Sequence, residues 1–110
     1  MAGKFELKAT KNGKWVFNLK SGNGQIILTS EIYESKQSAL NGIESVRKNA
    51  AEDNRYDRRK SKNDEPYFVL KAANHQIIGN SEMYSSSQAM ENGINSVKNN
   101  GPSAELNDLT

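Results

Sequence analysis

From Lys4 to Thr10 apolar and charged side chains alternate, with Phe5, Leu7 and Ala9 on one side and Lys4, Glu6 and Lys8 on the other. A period of two predicts a half-buried strand. Lys11-Asn12-Gly13 reads as a hairpin turn, since Asn-Gly tolerates the positive φ of a tight reversal. Trp15 to Lys20 alternates again, with Trp15, Phe17 and Leu19 opposed to Val16, Asn18 and Lys20. Ser21-Gly22-Asn23-Gly24 is a second turn, and Gln25 to Ser30, rich in β-branched residues, is a third strand. Connections this short predict an antiparallel meander.

At Glu31 to Glu34 the alternation stops. Ser35 suits a helix N-cap, its hydroxyl accepting from an otherwise unpaired backbone N–H. Ala39, Ile43, Val46 and Ala50 then recur at helical spacing, and the polar run Asn49 to Asn54 ends the helix.

The pattern then starts again. Moved forward by 51 residues, Trp15 to Ala50 lies on Pro66 to Gly101 without a gap, and half of the aligned positions are identical. Two stretches stand out: Asn23, Gln25, Ile26 and Ile27 return as Asn74, Gln76, Ile77 and Ile78, and Asn41, Gly42 and Ile43 return as Asn92, Gly93 and Ile94. A repeat of this period predicts two copies of one structural unit, about 1–53 and 54–110. Arg55 to Lys62 should be a strand, because Tyr56 falls on Phe5 and Lys62-Asn63 on Lys11-Asn12, although its apolar side has mostly turned basic. Tyr67 to Ala72 and Gln76 to Asn80 repeat the strands, and about Ser86 to Asn99 repeats the helix, stopped by Gly101-Pro102. Ala104 to Thr110 is either a frayed end or one more edge strand.

Half of a 110-residue chain buries too little surface to stand alone, so the copies should share one core in a single domain. Leu, Ile, Val and Phe make up only about a fifth of the residues, yet they are strongly patterned and the net charge is just +2. The expected fold is therefore α+β: one antiparallel sheet, two helices on one face and an internal pseudo-twofold axis. The lack of cysteine excludes disulfides, thiolate metal sites and thiol nucleophiles. With no apolar signal core near Met1 and no run of membrane-spanning length, a soluble cytoplasmic protein is the expectation.

The segments Gly24-Gln25-Ile26-Ile27-Leu28-Thr29-Ser30-Glu31, Asn41-Gly42-Ile43-Glu44-Ser45-Val46, Tyr67-Phe68-Val69-Leu70-Lys71 and Ser81-Glu82-Met83-Tyr84 resemble the YegP-like family of uncharacterised bacterial proteins. The resemblance covers nearly the whole chain. It implies tandem β-β-β-α-β units that share a sheet by exchanging the strand after each helix, here Arg55 to Lys62 and Ala104 to Asp108. It implies no established activity and no catalytic residues. In the second repeat His75 stands where the family more usually has glycine.

Few residues suggest chemistry. A twofold fold could bring Glu31 and Glu82 of the two Ser-Glu-x-Tyr corners together, and paired carboxylates can do acid–base work; alternatively those corners only brace the strand-to-helix turn. Gly42 and Gly93 sit inside predicted helices at a cost of about 1 kcal/mol each, which suggests a close approach by the sheet, the twin helix or a ligand. His75, the only histidine, has no metal-binding company, and no cofactor is expected.

The more promising feature is a surface. Helices on one face would leave the other strand parity exposed: Lys4, Lys8, Val16, Asn18, Lys20, Arg55, Arg59, Tyr67, Val69 and Lys71. Within it Val16, Lys20, Arg55, Arg59, Tyr67, Val69 and Lys71 form a candidate interaction surface. Either it is a solvated face covered by Lys and Arg stems, or it is a binding platform for a protein partner, or for single-stranded nucleic acid stacked on Tyr67. The function expected is thus non-catalytic binding, with a nucleic-acid binder and an enzyme built on Glu31 and Glu82 as the alternatives. The chain should be a monomer with an internal pseudo-dimer and no membrane partner.

Overall fold

The computed structural model describes residues 3–110. Strands β1 (Lys4–Ala9), β2 (Trp15–Lys20) and β3 (Ile26–Ser30) lead into helix α1 (Lys36–Asn49). After a single 3-10 turn come β4 (Tyr56–Lys60), β5 (Pro66–Lys71), β6 (Ile77–Asn80) and helix α2 (Ser87–Asn100), and a second 3-10 turn precedes β7 (Glu105–Asp108). Ser35 and Ser86 cap the two helices, accepting from the backbone N–H of Ser38 and Ala89.

The strands form one sheet in the order β4-β5-β6-β3-β2-β1-β7. Six of them pair antiparallel, as the meanders demand. The seventh departs from the expected all-antiparallel sheet: β7 lies parallel to β1, so the sheet is mixed. The reason is the entry point. The turn Gly101–Ser103 packs on both helices and delivers the chain beside Gly3, the end from which β1 also starts. Glu105 N–H donates to Gly3 O there, so both strands run the same way. Ala104 to Asp108 is thus a strand rather than a frayed end, and each strand that follows a helix ends in the far half of the sheet, β4 beside β5 and β7 beside β1.

Thr29 pairs with Asn80, its own equivalent in the other repeat, so the pseudo-twofold axis passes through the β3–β6 pair. α1 packs on β2, β5 and β6, and α2 on β5 and β3, so each helix bridges the repeats. One apolar core results, uniting Phe5, Leu7, Phe17 and Leu19 with Phe68, Leu70, Ile43, Val46, Ile94 and Val97.

Candidate interaction surface

The Ser-Glu-x-Tyr corners are built for the fold. Ser30 Oγ accepts from Phe17 N–H at 2.9 Å and donates to Glu31 O at 2.7 Å. Ser81 repeats both bonds with Phe68 and Glu82 at 3.0 and 2.8 Å. A serine hydroxyl thus replaces a ladder partner where β3 and β6 leave the sheet. Tyr33 and Tyr84 then stack on Phe17 and Phe68 with ring centroids 6.1 and 6.4 Å apart. Their hydroxyls lie over Gly42 and Gly93: a Cβ on Gly42 would sit 2.8 Å from Tyr33 Cζ, and one on Gly93 would sit 2.7 Å from Tyr84 Cζ. The close approach that sets these glycines is that of the corner tyrosine. Burial raises both phenol pKa values, with Glu31 and Glu82 adding to the shift.

The same register separates the two carboxylates. Glu31 and Glu82 lie two residues beyond the Thr29–Asn80 pair in opposite directions, roughly 13 Å apart along the strands. The structure does not bring them together.

On the face away from the helices, a row crosses the axis: Asp57, Val69, Asn80, Thr29, Asn18 and Glu6 are successive neighbours from β4 to β1. Asn18 Nδ2 donates to Thr29 Oγ1 at 3.0 Å. The row ends in two equivalent carboxylates, each holding the lysine of its own repeat: Lys20 is 3.0 Å from Glu6, and Lys71 is 3.3 Å from Asp57. Lys4 and Arg59 add a second cation to each, at 3.8 and 2.8 Å. The hydrogen bond from Lys20 holds the Glu6 carboxyl below its ordinary range, against the opposing pull of burial. Arg59, then Lys71, lowers Asp57 in the same way.

Two of the expected surface residues are not available on this face. Val69 is 3% exposed, because it lies mid-row in a central strand between the side chains of Asp57 and Asn80. Arg55 precedes β4 and turns to the end of α1, where its Nε donates to Asn49 Oδ1 at 2.9 Å. Val16, Lys20, Tyr67 and Lys71 are half-buried and Arg59 is exposed. Glu6 and Asp57 share this face but were left out of the expected surface, and they neutralise the cations that made it look basic.

Also missed were exposed apolar residues at the ends of the central strand pair. Ile26 and Ile77 stand opposite Lys20 and Lys71, exposed by 37% and 38%. The corner residues Ile32 and Met83 are more exposed still. Ile32 and Ile77 thus lie toward one end of the β3–β6 pair, and Met83 and Ile26 toward the other. A cleft of about 480 Å³ at the second cluster is lined by Lys20, Ile26, Glu82 and Tyr84 among others. The recurrence of Ile26 as Ile77 was in the chain, but strand parity groups Ile26 with buried Leu28. Only the register shift between Leu19 and Lys20, repeated between Leu70 and Lys71, sets these isoleucines opposite the lysines. Among the described residues no cluster of acidic or histidine side chains could hold a metal ion, and no helix is long and apolar enough to cross a membrane.

This geometry is that of a known family. The model of a domain of unknown function, DUF1508, matches residues 10–57 and again 61–108. The chain belongs to that family, in its tandem form, and its full-length relatives carry the label UPF0339. A UPF0339 protein of Acinetobacter baylyi is 57% identical, over 100% of this chain and 99% of the relative. UPF0339 protein YegP of Escherichia coli K12 is 53% identical over the whole of both chains. The solution NMR structure of E. coli YegP superposes with a TM-score of 0.95, covering 100% of this chain and 95% of that one. That of a UPF0339 protein from Shewanella oneidensis, 55% identical, gives 0.94 over 100% and 93%. The YegP-like resemblance and the tandem α+β fold are thereby established.

Proposed function

We propose that the chain is a non-catalytic binding module that meets a protein partner on the helix-free face of its sheet. The observation that carries this reading is the exposure of apolar residues toward both ends of the central strand pair, Ile32 and Ile77 at one and Met83 and Ile26 at the other. Ile32 precedes Tyr33, which bridges Trp15 next to half-buried Val16, and Met83 precedes Tyr84, whose N–H donates to Pro66 O next to half-buried Tyr67. Apolar anchors framed by polar groups are the usual make-up of a protein interface. The ion-paired centre supplies orientation rather than affinity, because its charges are already satisfied.

Nucleic acid is the weaker reading. Lys4, Lys20, Arg59 and Lys71 are all engaged by Glu6 or Asp57, and a phosphate would have to compete with those carboxylates. Catalysis through Glu31 and Glu82 has no support in a register that holds them apart.

The test is NMR mapping on the labelled chain with fractionated lysate, with and without nuclease. Shift changes at Ile26, Tyr67, Met83, Ile32 and Ile77 that survive nuclease, and that Tyr67→Ala with Met83→Asp removes, are the expected result. Changes confined to the helices, or abolished by nuclease, would overturn it.

A further inference from the structure

The twofold relation between the repeats fails at one place. Beyond β1 lies β7, whereas β4, the equivalent of β1, is the last strand of the described sheet. The contacts of β7 show what such a slot takes. Leu109 N–H donates to Leu7 O at 2.9 Å, and Lys36 on α1 holds Asp108 at 2.7 Å. Arg47 donates to Ala104 O at 2.9 Å while lying over the Phe5 ring.

Moved by one repeat, Leu7, Ala9, Lys36 and Ala39 become Arg58, Lys60, Ser87 and Met90. Those four, with Pro66 and Glu91, line an open cleft of about 360 Å³ along the edge of β4. Arg58 pairs with Phe68 as Leu7 pairs with Phe17, so its carbonyl points outward as that of Leu7 does. At the other end of the slot Asp53 takes Lys98, the counterpart of Arg47, at 2.7 Å, which leaves Arg58 to Lys60 as the accessible length.

We propose that the outer edge of β4 from Arg58 to Lys60 accepts an extended acidic segment of a partner protein, laid parallel to β4 as β7 is laid along β1. Strand addition to an open edge draws its affinity from main-chain hydrogen bonds, and the side chains beside it select the partner. Here Lys60 selects a carboxylate directly, while Arg58 and Arg59 would have to share theirs with Glu91, Asp53 and Asp57, and Met90 is the apolar floor. A lysine on the open edge also guards it against pairing with a second copy of itself. Lys60 has no ion-pair partner among the described residues. This site is separate from the helix-free face, and each is probed at its own residues.

The probe is an acetylated peptide copying residues 104–110, Ala-Glu-Leu-Asn-Asp-Leu-Thr, titrated into the labelled full chain. A control peptide carries Lys in place of Glu and Asp. The expected result is shift changes and slowed amide exchange at 56–60, Ser87 and Met90 with the acidic peptide alone. Added salt should weaken binding, and Arg59→Glu with Lys60→Glu should weaken it by at least about tenfold. If that variant does not fold, the salt dependence of the unaltered chain decides, and binding indifferent to salt overturns the proposal. It also fails if millimolar peptide leaves β4 unmoved, if the control binds equally, or if the changes fall on β1 through displacement of β7. Concentration-dependent protection of β4 in the chain alone would make a second copy the occupant, and would likewise overturn it.

Discussion

The two edges of the sheet begin from equivalent strands and diverge. At the β1 edge Leu7 is fully buried, covered by β7 on one side and β2 on the other. At the β4 edge Arg58 takes the place of Leu7, with 35% of its side chain exposed. Its guanidinium binds Glu91 at 2.6 Å and Asp53 at 3.1 Å, and Lys98 joins Asp53. The carboxylate of Glu91 raises the Arg58 pKa further, so the cation is permanent. Glu91 itself stands where Leu40 stands in the first repeat. Two apolar residues at a covered edge have become an ion pair at an open one. Backbone geometry tolerates either, and solvent access decides which side chains are stable there.

Exchanging the edge residues should have the largest effect, and an unequal one. Leu7→Arg buries an unpaired cation and should cost about 3–5 kcal/mol. Arg58→Leu removes an exposed pair and should change stability by under about 1 kcal/mol. Denaturant midpoints measure both, and equal losses would mean that β7 does not shield Leu7 as the structure has it.

A smaller effect tests what the repeats share. Gly42→Leu and Gly93→Leu should each destabilise by roughly 1–3 kcal/mol through overpacking against the corner tyrosines. Tyr33→Ala should relieve the first variant and not the second. If the two substitutions at 33 and 42 are simply additive in thermal melts, the tyrosine is not what the glycine accommodates.

The smallest effect comes from a turn where the repeats differ. His75 has φ 70°, the left-handed conformation that Gly24 adopts at φ 86°. The register of the fold, rather than the residue, imposes that turn. His75→Gly should stabilise by about 0.5–1 kcal/mol, the side-chain strain relieved being partly offset by the entropy glycine loses on folding. Gly24→His should destabilise by a similar amount, and a melting shift of the wrong sign in either would refute the account.

Much of this was legible along the chain. Alternation placed the strands, the serine caps placed the helices, and the spacing of 51 residues placed the twofold, because periodicity and capping are local properties of adjacent residues. Even the odd basic run from Arg58 to Lys60 was visible as a departure from the Phe5-Leu7-Ala9 pattern. Parity alone could not say that Val69 is buried on a nominally open face, that Arg55 turns away to Asn49, or that Glu6 and Asp57 hold the lysines. Those facts depend on which strands stand side by side. The separation of Glu31 from Glu82 follows from a single pairing, Thr29 with Asn80, between residues far apart in the chain. The direction of β7 was likewise set by where the turn at Gly101 packs on both helices, a contact that no local pattern encodes. The units and their symmetry can be read from the chain, since they depend on neighbours along it. Register, edge cover and charge pairing emerge on folding, since they depend on neighbours in space.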